Sequence, residues 1–146
     1  MNSKDKKIRI DIGCGKNKKE GFIGIDIDPN SDADIIASAL DLPFNDSSID
    51  EINCSHLVEH FSPGEARKFF DEIYRVLKKG GIANLKIDRD WSERRLLRKD
   101  PTHKHRYSVK EIKEMLKKIS QKKVKDKIYF FRWNKPRRKI FVELTK

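Results

Sequence analysis

Apolar residues in this chain fall into short runs punctuated by glycine, proline and acidic clusters, and the period of the runs changes along its length. Ile8 to Ile12 alternates isoleucine with charged residues and Phe22 to Ile27 is apolar but for Gly24 and Asp26, which predicts two strands with the turn-forming Gly13 and Gly15 between them. Asp32 to Ala37 predicts a third strand. The following S-A-L-D-L-P-F predicts a loop, because Pro43 cannot donate to a sheet ladder. Ser48 to Ser55 predicts the fourth strand. The spacing then changes to 3.6 residues. Ala66, Phe69, Phe70, Ile73, Val76 and Leu77 form one helical stripe, introduced by Ser62 as N-cap, Pro63 at the first helical position and Glu65 three residues beyond the cap. This helix is expected to stop at Lys78-Lys79-Gly80-Gly81, with Ile82 to Ile87 as strand five.

Residues 88 to 107 are a long polar stretch with no evident periodicity, and connections of that size often carry function. Ser108 and Glu111 make a second capping box before the apolar face Ile112, Met115, Leu116 and Ile119. Two β-rich runs, Lys127 to Trp133 and Lys139 to Leu144, flank N-K-P-R-R and predict a closing antiparallel hairpin. Between the first two strands, Lys16 to Gly21 is too short for a full crossover helix, so that helix is expected to be reduced to a turn.

With 146 residues the chain suits one domain, expected over residues 8 to 146 behind a loose leader at 1 to 7. The net charge of +11 is unevenly placed: residues 1 to 97 carry −2 and residues 98 to 146 carry +13. Such asymmetry can mark an anionic partner, nucleic acid above all. Its plainer reading is a solvated lysine face, with Lys117, Lys118, Lys122, Lys123, Lys125 and Lys127 crowding a helix end and its loop. Cys14 and Cys54 are isolated, which predicts reduced thiols and neither a disulfide framework nor a structural zinc site. No apolar run approaches the roughly 20 residues that span a bilayer, and the amino terminus lacks the apolar segment of a signal peptide, so no membrane partner and a cytoplasmic location are expected.

The stretch R-I-D-I-G-C-G-K-N-K-K-E-G-F-I-G-I-D-I-D-P carries the strongest chemical signal. Glycine lets the backbone approach a ligand, and an acid beyond the second strand can accept from ribose hydroxyls. A dinucleotide fingerprint needs a third glycine where Lys18 stands, and a phosphate-binding loop needs glycines five apart rather than two. What survives is Asp-x-Gly-x-Gly with an acid after the next strand. Together with G-I-D-I-D-P, L-P-F-N-D-S-S-I-D, S-H-L-V-E-H and E-I-Y-R-V-L-K-K-G-G-I-A-N-L, in that order over residues 8 to 119, it resembles the type 11 class I S-adenosylmethionine (SAM) methyltransferases, especially a compact subset with a shortened first helix.

That resemblance implies a single-domain, Rossmann-like, doubly wound α/β sheet, mostly parallel with an antiparallel carboxy-terminal hairpin. It implies SAM as cofactor and methyl transfer to an O or N nucleophile of a small molecule, glycan or RNA. Carried onto this chain, Asp11, Gly13, Cys14 and Gly15 match the loop that meets the methionine portion, and Asp26 matches the ribose-binding acid with Ile27 beside adenine. An acid commonly stands where this chain has Ser38, so the adenine amino contact falls to Ser38 or to the backbone at Ala39 and Leu40. Cys54, Ser55 and His56 match the end of strand four near the sulfonium, with His60 one turn on. Catalysis then consists mainly of placing a nucleophile and removing its proton. His56, Asp88, His103, His105 and Tyr107 are the candidates for that work, the P-T-H-K-H-R-Y pair first. The alternative is that His103 and His105 brace the loop or cap the next helix.

Other readings compete. His56-Leu-Val-Glu-His60 matches H-x-x-E-H, a zinc protease motif that needs a long continuous helix. A SAM-binding or RNA-binding accessory module without activity is a second alternative. A metal held by His103 and His105 would lack a third ligand at any specific spacing, and no metal is expected. Phe130, Phe131 and Trp133 interleave with Arg132, Lys135, Arg137 and Arg138, a mix suited to stacking and phosphate contact, though the aromatics suit a hairpin core as well. The open pocket suggests a bulky acceptor, or a second copy or partner chain that completes the site.

Overall fold

A computed structural model describes residues 6–90, 92–117, 119, 121–129 and 137–146. Seven strands form one sheet in the order β3-β2-β1-β4-β5-β7-β6. They are β1 (Arg9–Ile12), β2 (Ile23–Asp26), β3 (Ile35–Ile36), β4 (Ile49–Ser55), β5 (Leu77–Asp88), β6 (Gln121–Tyr129) and β7 (Arg137–Thr145). The first five pair in parallel, and β7 inserts antiparallel between β5 and β6. The helices are α1 (Pro63–Val76), α2 (Glu93–Lys99) and α3 (Val109–Met115).

The alternation of side chains along each strand decides where the helices sit. Ile10, Ile12, Ile52, Cys54, Ala83, Leu85, Ile87, Ile140, Val142 and Leu144 lie side by side across the sheet and share one core with Phe69, Phe70 and Ile73 of α1 and Ile112 of α3. The intervening positions turn to the opposite face and are largely polar: Arg9, Asp11, Glu51, Asn53, Asn84, Lys86 and Glu143. Parallel sheets are normally covered on both faces. Here the β1–β2 link is reduced to two turns, Asn17 N–H to Cys14 O and Phe22 N–H to Lys19 O, and the β2–β3 and β3–β4 links carry no helix. α1 and α3 therefore form a layer on one face. On the other, side chains do some of the covering: the Lys18 stem lies so close to Gly24 that a Cβ there would stand 2.7 Å from its Cδ, and the Lys18 ammonium pairs with Asp34 at 2.9 Å.

Both capping boxes form. The Ser62 hydroxyl accepts from Glu65 N–H while the Glu65 carboxylate accepts from Ser62 N–H, and Ser108 and Glu111 repeat the exchange. Several boundaries differ from expectation for physical reasons. α1 ends at Val76, not at the glycines, because Leu77 is drawn into the sheet opposite Ile49 and is buried there; Lys78 to Gly81 then form an irregularity in β5 with Gly80 at φ +78°. β3 is shorter than Asp32 to Ala37, since the Asp34 carboxylate is turned to Gly24 N–H and Lys18. The polar stretch contains α2, capped by Ser92 and anchored by Leu96 alone, too little apolar surface to show a period. β6 starts at Gln121, so Lys122, Lys123, Lys125 and Lys127 belong to a sheet edge rather than to a helix end and loop. Residues 1 to 5, Lys118 and the 130 to 136 segment, with Phe130, Phe131, Arg132, Trp133 and Lys135, lie outside the described residues, as does the Arg137 side chain. Arg138 donates through Nη2 to Asp126 Oδ2 at 2.5 Å. No helix is long and apolar enough to cross a membrane among the described residues.

The loop between β3 and β4 is held by α1. Arg75 donates to the carbonyls of Phe44 (2.8 Å) and Leu42 (3.0 Å), to Asp46 (2.9 Å) and to Glu72 (2.8 Å), and Glu72 in turn accepts from Leu42 N–H at 2.8 Å. The hydrogen bonds from Arg75 hold the Glu72 carboxyl below the usual carboxylate range. A lowered folded-state pKa contributes stability above the unfolded value of about 4.3, and that contribution is lost as pH falls through the folded value. Glu72→Gln is therefore expected to lower the melting temperature at pH 7 and to flatten its decline between roughly pH 5 and pH 3, as thermal unfolding followed by circular dichroism across that range would show.

Candidate active site

The turn after β1 is fixed from three directions. Gly13 and Gly15 take φ of +69° and +53°, a region that a side chain resists, and a Cβ at Gly13 would also stand 3.1 Å from Leu57 Cδ2. Buried Asp11 accepts from Lys19 N–H (2.8 Å) and from the Asn53 amide (2.7 Å), tying β1 to the shortened link and to β4. Asp26, at the carboxyl end of β2, accepts from Gly15 N–H (2.8 Å) and Asp28 N–H (2.9 Å). Asp28 is spent on its own turn, accepting from Asn30 N–H at 2.8 Å.

Two cavities meet at Gly13. One, of about 220 Å³, is lined by Ile12, Ile25, Asp26, Ile27, the Ala37–Leu40 backbone segment, Leu57, His60 and Phe61, with Glu65 and Lys104 at its wall. The other, of about 590 Å³, is lined by Asp11, Cys14, Gly15, Lys16, Asn17, Lys19, Asn53, Ser55 and His56. The first is mostly apolar, with the Asp26 and Glu65 carboxylates at its edge, and the second is polar. Ile27 is 72% exposed, a large apolar side chain left in water beside Asp26. The Ser38 hydroxyl accepts from Leu40 N–H at 3.1 Å, so it shapes its own turn. Burial, with Asp26 and Asp11 nearby, pushes the Cys14 thiol up. Cys54 differs from expectation: its side chain is 1% exposed and packs in the core, because its strand position faces α1, and it lines neither cavity.

The proton-handling candidates separate. His56 lines the polar cavity from a backbone at φ +59°, with Nδ1 3.4 Å from Glu59 Oε1 and Nε2 3.0 Å from Lys139 Nζ. Asp88 is buried and ion-paired with Lys99. His105 bonds Glu111 at 2.8 Å and stacks edge-on to Tyr107, bracing the cap of α3. Tyr107 is fully buried and its hydroxyl donates to Phe61 O at 2.6 Å, so it holds the loop. His103 is 6% exposed and packs edge-on against His60, ring centres 4.7 Å apart. Among the described residues, Asp88, His103, His105 and Tyr107 line neither cavity. His103 and His105 do not act as a pair, since each takes a different partner.

The protease reading of H-x-x-E-H fails on backbone shape. Only Val58–His60 is helical, as a single 3-10 turn, and the left-handed His56 before it directs the two imidazoles into separate clusters. Sequence reasoning did not find Leu57, Phe61, Glu65 and Lys104 as cavity walls. Leu57 lies within the H-x-x-E-H letters and Phe61 directly follows them, and both were legible there as unexplained apolar residues in a polar segment. Lys104 reaches Glu65 at 3.1 Å across 39 positions and had no local signal.

The profile of a methyltransferase-domain family, type 11, matches residues 10–85. No curated protein sequence matches the chain significantly. Solved structures that resemble it include a SAM-dependent methyltransferase from Archaeoglobus fulgidus, with 19% identity, TM-score 0.76 and coverage of 98% of this chain and 87% of the other. A SAM-dependent methyltransferase from Methanosarcina mazei has 21% identity and TM-score 0.68, covering 96% and 93%. A phosphoethanolamine N-methyltransferase from Haemonchus contortus, bound to phosphomonomethylethanolamine and S-adenosylhomocysteine, has 16% identity and TM-score 0.77, and this chain spans 48% of its length. These likenesses establish the fold, and the profile, covering more than half of the residues and reaching from within β1 to Leu85 in β5, places the chain in the type 11 family of class I SAM-dependent methyltransferases.

Proposed function

We propose that the two joined cavities hold SAM, its nucleoside in the apolar cavity and its amino-acid end in the polar one, and that the methyl group is passed to an oxygen or nitrogen nucleophile entering beside His56. The observation that carries this reading is the Asp26 carboxylate standing at the end of β2 beside the Gly13–Gly15 turn, where the cavities meet. Each of its oxygens takes one backbone N–H and keeps capacity for a second donor, which suits two vicinal ribose hydroxyls. The exposed Ile27 and the Leu57 and Phe61 walls offer apolar faces to a purine, and the Ala37–Leu40 backbone offers polar edges. Lys16, Asn17 and Lys19 suit a carboxylate at the polar end.

When bound, SAM supplies an electrophilic methyl carbon that already carries its leaving group. The protein's share is orientation and proton removal. His56 is the one candidate base on a cavity wall among the described residues, and with Lys139 donating to Nε2 its Nδ1 proton faces Glu59. Taking the acceptor's proton on Nε2 requires Lys139 to yield its place.

Calorimetry with S-adenosylhomocysteine tests the assignment. Asp26→Ala removes charge-assisted hydrogen bonds of about 1.5–3 kcal/mol each and is expected to weaken binding at least roughly tenfold. Ile27→Ala, an exposed change harmless to folding, should weaken it by about 1 kcal/mol, or roughly fivefold. Unaltered affinity in both variants would place the nucleoside elsewhere.

A second observation favours RNA as the acceptor class. On the uncovered sheet face Lys123, Lys125 and Lys127 alternate along β6 and border a groove with Asn84, Phe141 and Glu143; Lys127 and Lys86 lie 5.2 and 5.9 Å from the Phe141 ring centre. Basic residues around an aromatic platform suit a single strand. Exchanging these three lysines for glutamate should abolish RNA retention, and wild-type affinity should fall steeply between about 50 and 200 mM salt. Retention that ignores both would point to a small-molecule or glycan acceptor.

A further inference from the structure

Glu59 is fully buried, yet only half of its carboxylate is used. Oε1 accepts from Asp88 N–H at 3.2 Å and lies 3.4 Å from His56 Nδ1, whereas Oε2 has no hydrogen-bond partner among the described residues. His103, also buried, has an Nδ1 in the same condition. An unsatisfied buried polar atom is costly, more so when charged, so two on neighbouring side chains call for an occupant. Glu59, His60 and His103 each bring a ligand atom to within 4.8 Å of the others.

The surrounding hydrogen bonds choose the free nitrogens. The Thr102 hydroxyl donates its single proton to Asp100 Oδ1 at 2.6 Å, so at 2.9 Å from His60 Nδ1 it acts as acceptor; Nδ1 carries the imidazole proton and Nε2 keeps a lone pair. His103 Nε2 faces Asp100 Oδ2 at 3.6 Å, which favours the proton there and leaves Nδ1 as the lone-pair atom. Asp100 thus orients both rings, one directly and one through Thr102, as outer carboxylates do for metal-bound histidines.

We propose that Glu59, His60 and His103 bind one divalent metal ion of the zinc class at the wall of the nucleoside cavity. Two imidazoles and a carboxylate are a recognised three-ligand set for zinc, which leaves a fourth position open. Tetrahedral zinc needs ligand atoms roughly 3.4 Å apart for bonds of about 2.1 Å, within reach of small side-chain shifts from the present spacing. The neighbouring trio of His56, Glu59 and Asp88 is not the site: Lys99 is paired with Asp88, and Lys139 lies on His56, so an added cation would meet two ammonium groups. His60 is the ligand that lines the cavity. On the methyltransferase reading above, the open position there would face the bound nucleoside rather than the acceptor, so the ion would bear on cofactor binding.

The test uses zinc chloride alone, without cofactor or acceptor, so its failure would leave the S-adenosylhomocysteine result standing. The full chain, stripped with chelator and dialysed, should bind one zinc per chain by calorimetry and retain it on elemental analysis. His60→Ala and His103→Ala should each weaken binding at least tenfold, Asp100→Asn should weaken it about tenfold as an outer-shell change, and His105→Ala should leave it unaltered. Circular dichroism verifies the fold of each variant, and partly exposed His60 keeps the test open should buried His103 not tolerate change. Absence of saturable zinc binding in the wild type, or wild-type affinity retained in both His60→Ala and His103→Ala, would overturn the proposal.

Discussion

The Asp11 carboxylate is the constraint on which the site depends. It is buried at the end of β1 and spends one oxygen on Lys19 N–H and the other on the Asn53 amide. A buried carboxylate without such partners would be too costly to keep charged. With them, it converts that cost into positional precision: the shortened link, the glycine turn and β4 are held in one arrangement by hydrogen bonds of the stronger, charge-assisted kind. In folds of this class a crossover helix normally positions the turn by packing. Here the packing is absent, and directional bonds from Asp11 and Asp26 do the positioning.

The same substitution of polar contacts for helices recurs across the uncovered face. Lys18 lies over Gly24 and pairs with Asp34; Arg9 and Lys19 stand 5.2 and 4.5 Å from the Phe22 ring centre. On the helical side, Arg75 and Glu72 anchor a loop that no helix of its own supports. A sheet with one polar face can be shorter and more charged than its relatives and still enclose a core, because Ile10, Ile52, Leu85 and Val142 need covering on one side only. That accounts for a composition of 39% charged residues in a folded domain.

What the sequence made legible follows the reach of each signal. Strands and capping boxes are local, so β1, β2, β4 and both boxes are readable within a few residues, and the glycine turn is announced by spacing alone. α2 has one buried leucine, Leu96, and no stripe to read. β6 is lysine-rich with Val124 as its inward apolar residue, so charge masked the strand. Lys104 joins the cavity wall only because the chain returns over α1. The inward position of Cys54 was knowable in principle from strand alternation: Ile52 and Cys54 share a parity that Asn53 and Ser55 do not.

The segment H-L-V-E-H shows why letters at helical spacing are weak evidence without backbone. A left-handed residue at His56 breaks the helix that the spacing assumes, and each histidine then serves a different neighbourhood. Glu59 between them becomes a joint. Its carbonyl accepts from Lys104 N–H at 2.8 Å, binding the 100–107 loop to the end of β4, while its carboxylate accepts from Asp88 N–H at the end of β5. Loops from the ends of two neighbouring strands thus meet at one fully buried acid, beside the cavity that His60 lines. Any shift of the 100–107 loop therefore bears on His56 and His60 together, through the one buried acid beside which both histidines stand.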